Sequence, residues 1–401
     1  MIDAEYIHDT VIQNDNKIIL LVVDGLGGIP SEATKLTELQ TAKTPNLDKL
    51  SETSSCGLTL PVAPGITPGS GPGHLGLFGY DPLKYYIGRG ALEGLGIGID
   101  LLPGDLAARG NFCTVDPQGN LHDRRAGRIK TELSKPIVNT LNGIEVASCT
   151  TDVFQVQDYR FVLRMRGNEL SEHIGETDPQ QTGVPPLDCL ALQPGGGPTA
   201  NYVNRFTSQA KELLHNEPIA NMVLLRGWSK LPDLPSFPET YKMKSSAIAA
   251  YPMYRGLATV AGMEIIPTGA TFADEIQTLK DNFNGSDFFF LHYKPADAAG
   301  EDGDFEAKVK TLEELDKFIP DILALNPSVF AIAGDHSTPA VLASHSWHPV
   351  PLMIHSKWTL GDHNKGFNEY DCRFGSLGTL EAKYLMSLIL AHSERLTKYG
   401  P

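Results

Sequence analysis

Ile18-Ile19-Leu20-Leu21-Val22-Val23-Asp24-Gly25 is the stretch from which the fold can be read. Six aliphatic residues follow one another without polar alternation, then a carboxylate and a glycine close the run. A half-exposed strand would alternate, so this pattern predicts a strand buried on both faces, as in a parallel sheet. It is far short of the roughly 20 residues that cross a bilayer. Similar apolar runs occur at residues 222–225, 288–291, 329–333 and 350–354. Helical patterns lie between them, for example at 45–54, 307–325 and 377–393. Alternating strands and helices predict an α/β fold: a mostly parallel sheet flanked by helices.

Residues 104–220 read differently. Residues 161–166 alternate apolar with basic side chains, which suits a half-exposed antiparallel strand, and 193–198 are rich in glycine and proline. The expected organisation is a core built from 1–103 and 221–401, with 104–220 inserted as a smaller α+β cap.

Polar residues gather at the strand ends. The first run ends in Asp24, the 288–291 run leads into Lys294-Pro295-Ala296-Asp297, and the 329–333 run ends in Gly334-Asp335-His336. Ligands of open α/β sheets bind outside the carboxyl ends of strands. An aspartate after a strand is usually a turn or cap residue. Three of them delivered to one edge would repel one another unless a cation neutralises them. Glu301 falls four residues after Asp297, so a helix would place both on one face. His345 and His348 flank Trp347 in a serine-rich loop beyond Asp335-His336. Oxygen and imidazole donors together suit Mn²⁺, Mg²⁺, Zn²⁺ or Co²⁺.

Ser70 lies in Thr67-Pro68-Gly69-Ser70-Gly71-Pro72-Gly73-His74. This is neither a GxSxG elbow nor a P-loop. The glycines allow close approach, and Pro72 suits the first turn of a helix. Ser70 is then expected at the N-cap, with free N–H groups near any anion it carries. A second polar cluster, His122-Asp123-Arg124-Arg125-Ala126-Gly127-Arg128, places three arginines within five residues. In a chain of net charge −15 this predicts a local site for phosphate or carboxylate. Arg160, Arg164 and Arg166 form a weaker set at alternating positions.

Totals narrow the partners. Acidic residues outnumber basic ones 48 to 33, which disfavours nucleic acid and anionic membranes as partners. The five cysteines are odd in number, widely spaced and without a CxxC, so free thiols in a reducing compartment are expected. Asp3 and Glu5 with no apolar segment beside them argue against a signal peptide, and the expected location is the cytoplasm.

Several motifs carry a resemblance. They are Val23-Asp24-Gly25, Pro68-Gly69-Ser70, Leu77-Phe78-Gly79-Tyr80-Asp81-Pro82, Tyr86-Ile87-Gly88-Arg89-Gly90, Asp123 to Arg128, and Gly334-Asp335-His336-Ser337-Thr338-Pro339. As a set, spread over about residues 17–390, they resemble the alkaline phosphatase superfamily, and more closely its archaeal-type cofactor-independent phosphoglycerate mutases. The resemblance implies an alkaline-phosphatase-like core and two divalent metals, Mn²⁺ or Mg²⁺ first. One metal would be held by Asp24, Ser70, Asp335 and His336, the other by Asp297, Glu301 and His345. Glu301 departs from the histidine usual there, and Gly71 from the acidic residue that often follows the serine. His345 is preferred to His348 on its spacing to Pro349-Val350-Pro351.

The resemblance further implies that Ser70 takes the phosphoryl group of 3-phosphoglycerate and returns it as 2-phosphoglycerate. No 2,3-bisphosphoglycerate would be needed. Asp123, Arg124, Arg125, Arg128, Arg160, His74 and Lys294 would meet this small-molecule substrate, and a closed cap would exclude water. A phosphatase, another phosphomutase or a homoserine-kinase-like transferase could use the same core. A sulfatase is disfavoured, because no cysteine stands at the nucleophile position.

Overall fold

The aliphatic run 18–23 becomes an inner strand of an eight-stranded sheet in the computed structural model, with all six residues buried. The structure describes residues 7, 9–85, 87–146, 148–231 and 233–400. Tyr86 of the glycine-arginine motif, and Asp3 and Glu5, lie outside these. In chain order the strands are β1 Ile18–Val23, β2 Ser55–Leu60, β3 Leu106–Val115, β4 Leu121–Asp123, β5 Cys149–Gln157, β6 Arg160–Gly167, β7 Met222–Ser229, β8 Ser245–Ile248, β9 Glu264–Ile265, β10 Phe288–Tyr293, β11 Val329–Ala333, β12 Val350–Ser356 and β13 Gly378–Glu381.

The chain divides into two compact units, Met1–Tyr86 with Leu234–Pro401, and Ile87–Asp233. In the first, the strand order is β13-β2-β12-β11-β1-β10-β8-β9. β1 is parallel to β10 and β11, and β10 is parallel to β8. Ile19, Leu21 and Val23 pack in one cluster with Ile276, Leu279, Leu312 and Leu315 from two flanking helices. That is the two-residue period of a strand meeting the apolar stripe of a helix.

Register decides where the chemistry falls. Val22 pairs with Ala333, and Val23 with Tyr293, so β1, β10 and β11 end level with one another. β12 runs antiparallel to β11, so it enters from that same edge. β2 is antiparallel to β12 in turn, and so also ends there. The segments after β1, β2, β8, β10 and β11, and the one before β12, therefore deliver residues to one rim.

Some expectations need correction. Residues 350–354 do form a strand, but an antiparallel one. No helix lies between β11 and β12, and without a crossover the chain can only double back. Residues 222–225 belong to β7, which pairs antiparallel with β3 in the second sheet. A short apolar run does not say which sheet it joins. The helix expected over 307–325 is two, Phe305–Asp316 and Ile319–Leu323, because Pro320 has no N–H to offer the Asp316 carbonyl. Residues 377–393 open as β13, where Gly378 has φ +60°, and only Leu385–His392 is α-helical.

The second unit holds a sheet of order β4-β3-β6-β5, with β7 on the other side of β3. Phe112, Phe161, Leu163, Val223 and Leu225 pack in its core with Ile137 and Phe206 from two helices. The edges expected at 104 and 220 fall inside this unit. Helix Arg89–Gly96 packs so closely on β3 that a Cβ on Gly90 would lie 2.4 Å from the Ala107 carbonyl oxygen, and β7 extends the sheet to Ser229. The helix Gly197–Leu214 claims the last two residues of the 193–198 stretch. Among the described residues, no helix is long and apolar enough to cross a membrane.

Candidate active site

At the rim of the first sheet, Asp24, Asp335 and His336 are fully buried. His336 Nε2 lies 3.3 Å from Asp24 Oδ1 and 3.2 Å from Asp335 Oδ2. The two carboxylates are split in the same manner. Asp24 Oδ2 receives the Tyr254 hydroxyl, His292 Nε2 at 3.1 Å and Lys294 Nζ at 3.1 Å. Asp335 Oδ1 accepts the Gly25 N–H at 3.2 Å. The remaining oxygens, Asp24 Oδ1 and Asp335 Oδ2, have no hydrogen-bond donor. His74 Nδ1 is 3.2 Å from the latter, but its proton goes to the Ser70 carbonyl at 2.8 Å. Bare carboxylate oxygens in a dry site are costly. A cation held by these two oxygens and His336 Nε2 removes the cost, and oxygen plus imidazole donors fit a divalent ion.

Ser70 joins this group, with its Oγ 3.2 Å from His336 Nε2. It sits one position further into its helix than expected. Gly69 is the N-cap of Ser70–Leu77, and no side chain caps that end. The Ser70 hydroxyl is thus not spent on its own helix, while the first-turn N–H groups remain available to an anion. The close fit of this helix rests on Gly73, where a Cβ would lie 2.1 Å from the Asp335 carbonyl oxygen.

A second group adjoins the first. Helix Pro295–Glu301 carries Asp297 and Glu301 one turn apart. His345 Nε2 lies 3.6 Å from Asp297 Oδ1 and 3.5 Å from Glu301 Oε1. Its Nδ1–H is committed to the Pro68 carbonyl at 3.0 Å, and its ring stacks on His336 at 3.6 Å between centroids. Asp297, His336 and His345 form a second set of donors able to hold a metal. Glu301 is more exposed. His348 is turned to Ser346 Oγ at 3.0 Å and belongs to neither set.

Charge is unevenly settled here. Burial raises the Asp24 pKa, but the His292 hydrogen bond and the Lys294 and His336 charges outweigh it and hold the group well below the usual range. Asp297 goes up, pushed by burial and by the Asp24 charge. Burial lowers His345, yet its bonds to Glu301 and the Pro68 carbonyl win and lift it to about 9. Lys294 bridges Asp24 and Asp297, whose charges overcome its burial and raise its pKa. One ammonium, that of Lys294, thus lies between the two carboxylates.

The second unit presents the opposite charge. Asp123 is a turn former, accepting the Arg125 N–H at 2.8 Å and the Gly127 N–H at 2.6 Å. Ala126, Gly127 and Arg128 all have positive φ, at 45°, 60° and 54°. Such a run is strained for L-residues and is characteristic of functional loops. Arg124 is engaged with the buried Asp178 at 2.9 and 2.7 Å. Arg125 and Arg128 are exposed, with no ion-pair partner among the described residues. Arg164 and Arg166 are tied to Asp152 and Asp105.

Arg160 belongs to a further group. Its Nη1 is 3.9 Å from Glu93 Oε1, and Arg109 Nε is 3.6 Å from Glu93 Oε2. Arg109 stands opposite Arg226 on adjacent strands. Burial and the charges of Arg226, Arg160 and Arg89, against the opposing pull of Glu93, depress the Arg109 guanidinium to about 10. Glu93 pairs with two of these arginines, Arg109 and Arg160, and the Nε groups of Arg109, Arg160 and Arg226 lack hydrogen-bond partners. Guanidinium groups gathered in this way are able to hold an oxyanion.

Comparison with known proteins adds the family. Residues 51–220 match that of the 2,3-bisphosphoglycerate-independent phosphoglycerate mutases. A Thermotoga maritima protein named "Probable 2,3-bisphosphoglycerate-independent phosphoglycerate mutase" is 50% identical over 398 residues, covering 99% of this chain and 98% of its own. This chain belongs to that mutase family. A Thermus thermophilus protein of the same name is 48% identical over 390 residues, or 96% of each. Among solved structures, the cofactor-independent phosphoglycerate mutase of Thermoplasma acidophilum has a TM-score of 0.71 at 28% identity, covering 94% of this chain and 100% of that one. A Pyrococcus horikoshii protein gives 0.84 at 29% identity, with 97% and 100% coverage.

Sequence reasoning on this mutase-family chain missed several polar residues. His292 interrupts the apolar β10 near its carboxyl end, and Arg109 and Arg226 interrupt β3 and β7. A charged or imidazole side chain inside an apolar strand was the available signal. Arg89 and Thr338 lay inside quoted motifs without a role. Tyr254, whose ring stacks on His292 at 3.5 Å, had no local signature.

Proposed function

We propose that this chain interconverts 3-phosphoglycerate and 2-phosphoglycerate through a phosphoserine on Ser70, at a site holding two divalent metals, Mn²⁺ or Mg²⁺ first. Family membership supports the reaction. The observation that carries the site is the pair of bare carboxylate oxygens converging on His336 Nε2 beside Ser70 Oγ. Asp24, Ser70, Asp335 and His336 would hold one ion, and Asp297, Glu301 and His345 the other. Bound there, divalent cations would lower the pKa of the serine hydroxyl and balance the charge on phosphoryl oxygens.

The chain's own residues do the rest. Ser70 gives up its hydroxyl proton as Oγ bonds to phosphorus and the bond to the 3-oxygen of glycerate breaks, and that oxygen takes up one proton and leaves as a hydroxyl. The first-turn N–H groups of Ser70–Leu77 and the Lys294 ammonium favour the negative phosphoryl group. The 2-hydroxyl of glycerate then attacks the phosphoserine, which restores Ser70. Glycerate must stay bound between the two transfers, and exclusion of water separates a mutase from a phosphatase. We assign its carboxylate to arginines of the second unit. Arg109, Arg160 and Arg226, whose Nε groups have no hydrogen-bond partner, are stronger candidates than Arg124, which is occupied by Asp178.

Phosphorus NMR of the purified protein with 3-phosphoglycerate and Mg²⁺, without bisphosphoglycerate, tests this before and after chelation. Chelator-sensitive 2-phosphoglycerate is the expected result. Inorganic phosphate in its place would make the protein a phosphatase. No turnover with Mg²⁺, Mn²⁺, Co²⁺ or Zn²⁺ would overturn the substrate and direct the search to other phosphoryl transfers, beginning with homoserine and ATP.

A further inference from the structure

The two donor sets meet at a residue that belongs to neither. Thr338 Oγ1 lies 2.7 Å from Asp297 Oδ1 and 2.9 Å from His336 Nδ1. A threonine hydroxyl has one proton and a carboxylate can only accept, so that proton goes to Asp297. The threonine oxygen is then left to accept from His336, which places the imidazole proton on Nδ1. Nε2 therefore presents a lone pair to Asp24 Oδ1, Asp335 Oδ2 and the Ser70 hydroxyl. One hydroxyl thus sets the tautomer of a residue in the first set and the orientation of a carboxylate in the second.

Thr338 is itself held. It is fully buried, and its carbonyl accepts the Lys308 ammonium at 2.8 Å. Lys308 is also fully buried, and its second bond goes to the Gly27 carbonyl at 2.9 Å. That carbonyl accepts the Thr338 N–H as well, at 3.0 Å. Lys308 therefore ties the loop after Asp24 to the loop after His336. Two carboxylates, the buried Glu38 and the half-buried Glu369, secure the same loops from behind. Glu38 accepts the Ala340 N–H, and Glu369 the Gly28 N–H, each at 2.7 Å. Glycines leave room for the threonine: a Cβ on Gly25 would lie 2.7 Å from Thr338 Oγ1, and one on Gly300 would lie 2.3 Å from its carbonyl oxygen. A buried ammonium given over to two backbone carbonyls, with no role at the ligands themselves, is an expensive device unless loop position matters.

We propose that Thr338, braced by Lys308, is the positioning residue that couples the two metal-binding sets by fixing the His336 tautomer and the Asp297 carboxylate. The inference rests on the two-metal reading above. Partners of this kind typically govern metal affinity by about 10–100-fold.

Thr338→Val keeps the shape and removes the hydroxyl, and Thr338→Ser keeps the hydroxyl. Mn²⁺ titration by calorimetry should show two ions bound by the parent protein. Affinity should fall about 10–100-fold in the valine variant and recover in the serine variant. In the valine variant kcat should fall while KM for 3-phosphoglycerate holds. Nitrogen-15 spectra of histidine-labelled, metal-free protein should place the His336 proton on Nδ1 in the parent and serine proteins and redistribute it in the valine protein. Unchanged Mn²⁺ affinity and an unchanged His336 signal in Thr338→Val would overturn the inference and leave the two-metal reading intact. A parent protein that binds no divalent ion would overturn that reading and the coupling with it. Lys308→Met should weaken Mn²⁺ binding in the same direction, and a folded Lys308→Met protein with parental affinity would remove the brace from the account.

Discussion

The rim of the eight-stranded sheet and the arginine group of the five-stranded sheet carry opposite charge imbalances. At the rim, Asp24, Asp297 and Asp335 crowd around His336, and carboxylate oxygens are left bare. In the second unit, Arg109 faces Arg226 across a strand pair, with Arg160 and Arg89 near and Glu93 paired to Arg109 and Arg160. Like charges opposite one another in a sheet oppose folding. Two units of one chain thus gather like charges of opposite sign, carboxylates in one and guanidinium groups in the other. Such conflicts in a protein that is otherwise locally consistent point to ligands rather than to defects of packing.

The largest expected effect tests the first region alone. Ser70→Ala should reduce phosphoryl transfer by about 10⁴-fold or more while the protein still binds metal, as measured by quenched single-turnover assays and Mn²⁺ titration. Retained turnover would remove the nucleophile from this rim. The next prediction concerns the second region. Arg109→Met should raise KM for 3-phosphoglycerate by about 10–100-fold, the value of a charge-assisted hydrogen bond of roughly 1.5–3 kcal/mol. Metal affinity should not change, and urea unfolding should show equal or greater stability because like-charge repulsion is relieved. A loss of stability with unchanged KM would make the group structural.

The two units should also differ in their response to pH. In the second, burial raises the Asp178 pKa, but the Arg124 hydrogen bonds outweigh it and hold the group below the usual value of 3.8. A depressed carboxylate contributes stability that is present above 3.8 and lost as pH falls through the folded value. Arg124→Met should therefore cost roughly 1–3 kcal/mol at neutral pH, and the difference should fade in acid. In the first unit, burial raises Glu275 to about 8, against the opposing Ala250 N–H bond and the Arg255 charge. A raised carboxyl binds its proton more tightly when folded, so its contribution is greatest below 4.5 and is lost as pH rises to about 8. Glu275→Gln should flatten that alkaline decline in thermal melts, the smallest of these effects. Identical pH slopes in the variant and the parent would refute it.

Much of the rim could be read locally. A strand buried on both faces must be apolar throughout, so 18–23 announced itself, and the polar residue that ends such a run falls at the sheet edge. Asp24, Asp297, Asp335 and His336 were all found by that argument, and the sheet register brings them together. The second unit was less legible. Residues 222–225 have the composition of any buried strand, and pairing partners are not written in composition. The same limit set edges at 104 and 220 that left β7 and the helix at Arg89 outside the second unit. The Asp123–Arg128 cluster drew attention because its charges are adjacent in the chain. The arginine group escaped because its members come from separate strands and a helix.

By itself, then, the sequence determined the α/β class, the edge at which carboxylates collect, the serine in its glycine-rich turn, and a resemblance that homology extends to the whole chain. Periodicity and adjacency are one-dimensional, and these features are properties of single segments. Only the tertiary structure decided which oxygen of Asp24 is left bare, that Arg109 meets Arg226, and that a buried lysine from the helix Phe305–Asp316 holds Thr338 between Asp297 and His336. Those facts depend on hydrogen-bond direction and strand register, which are set by contacts between residues far apart in the chain.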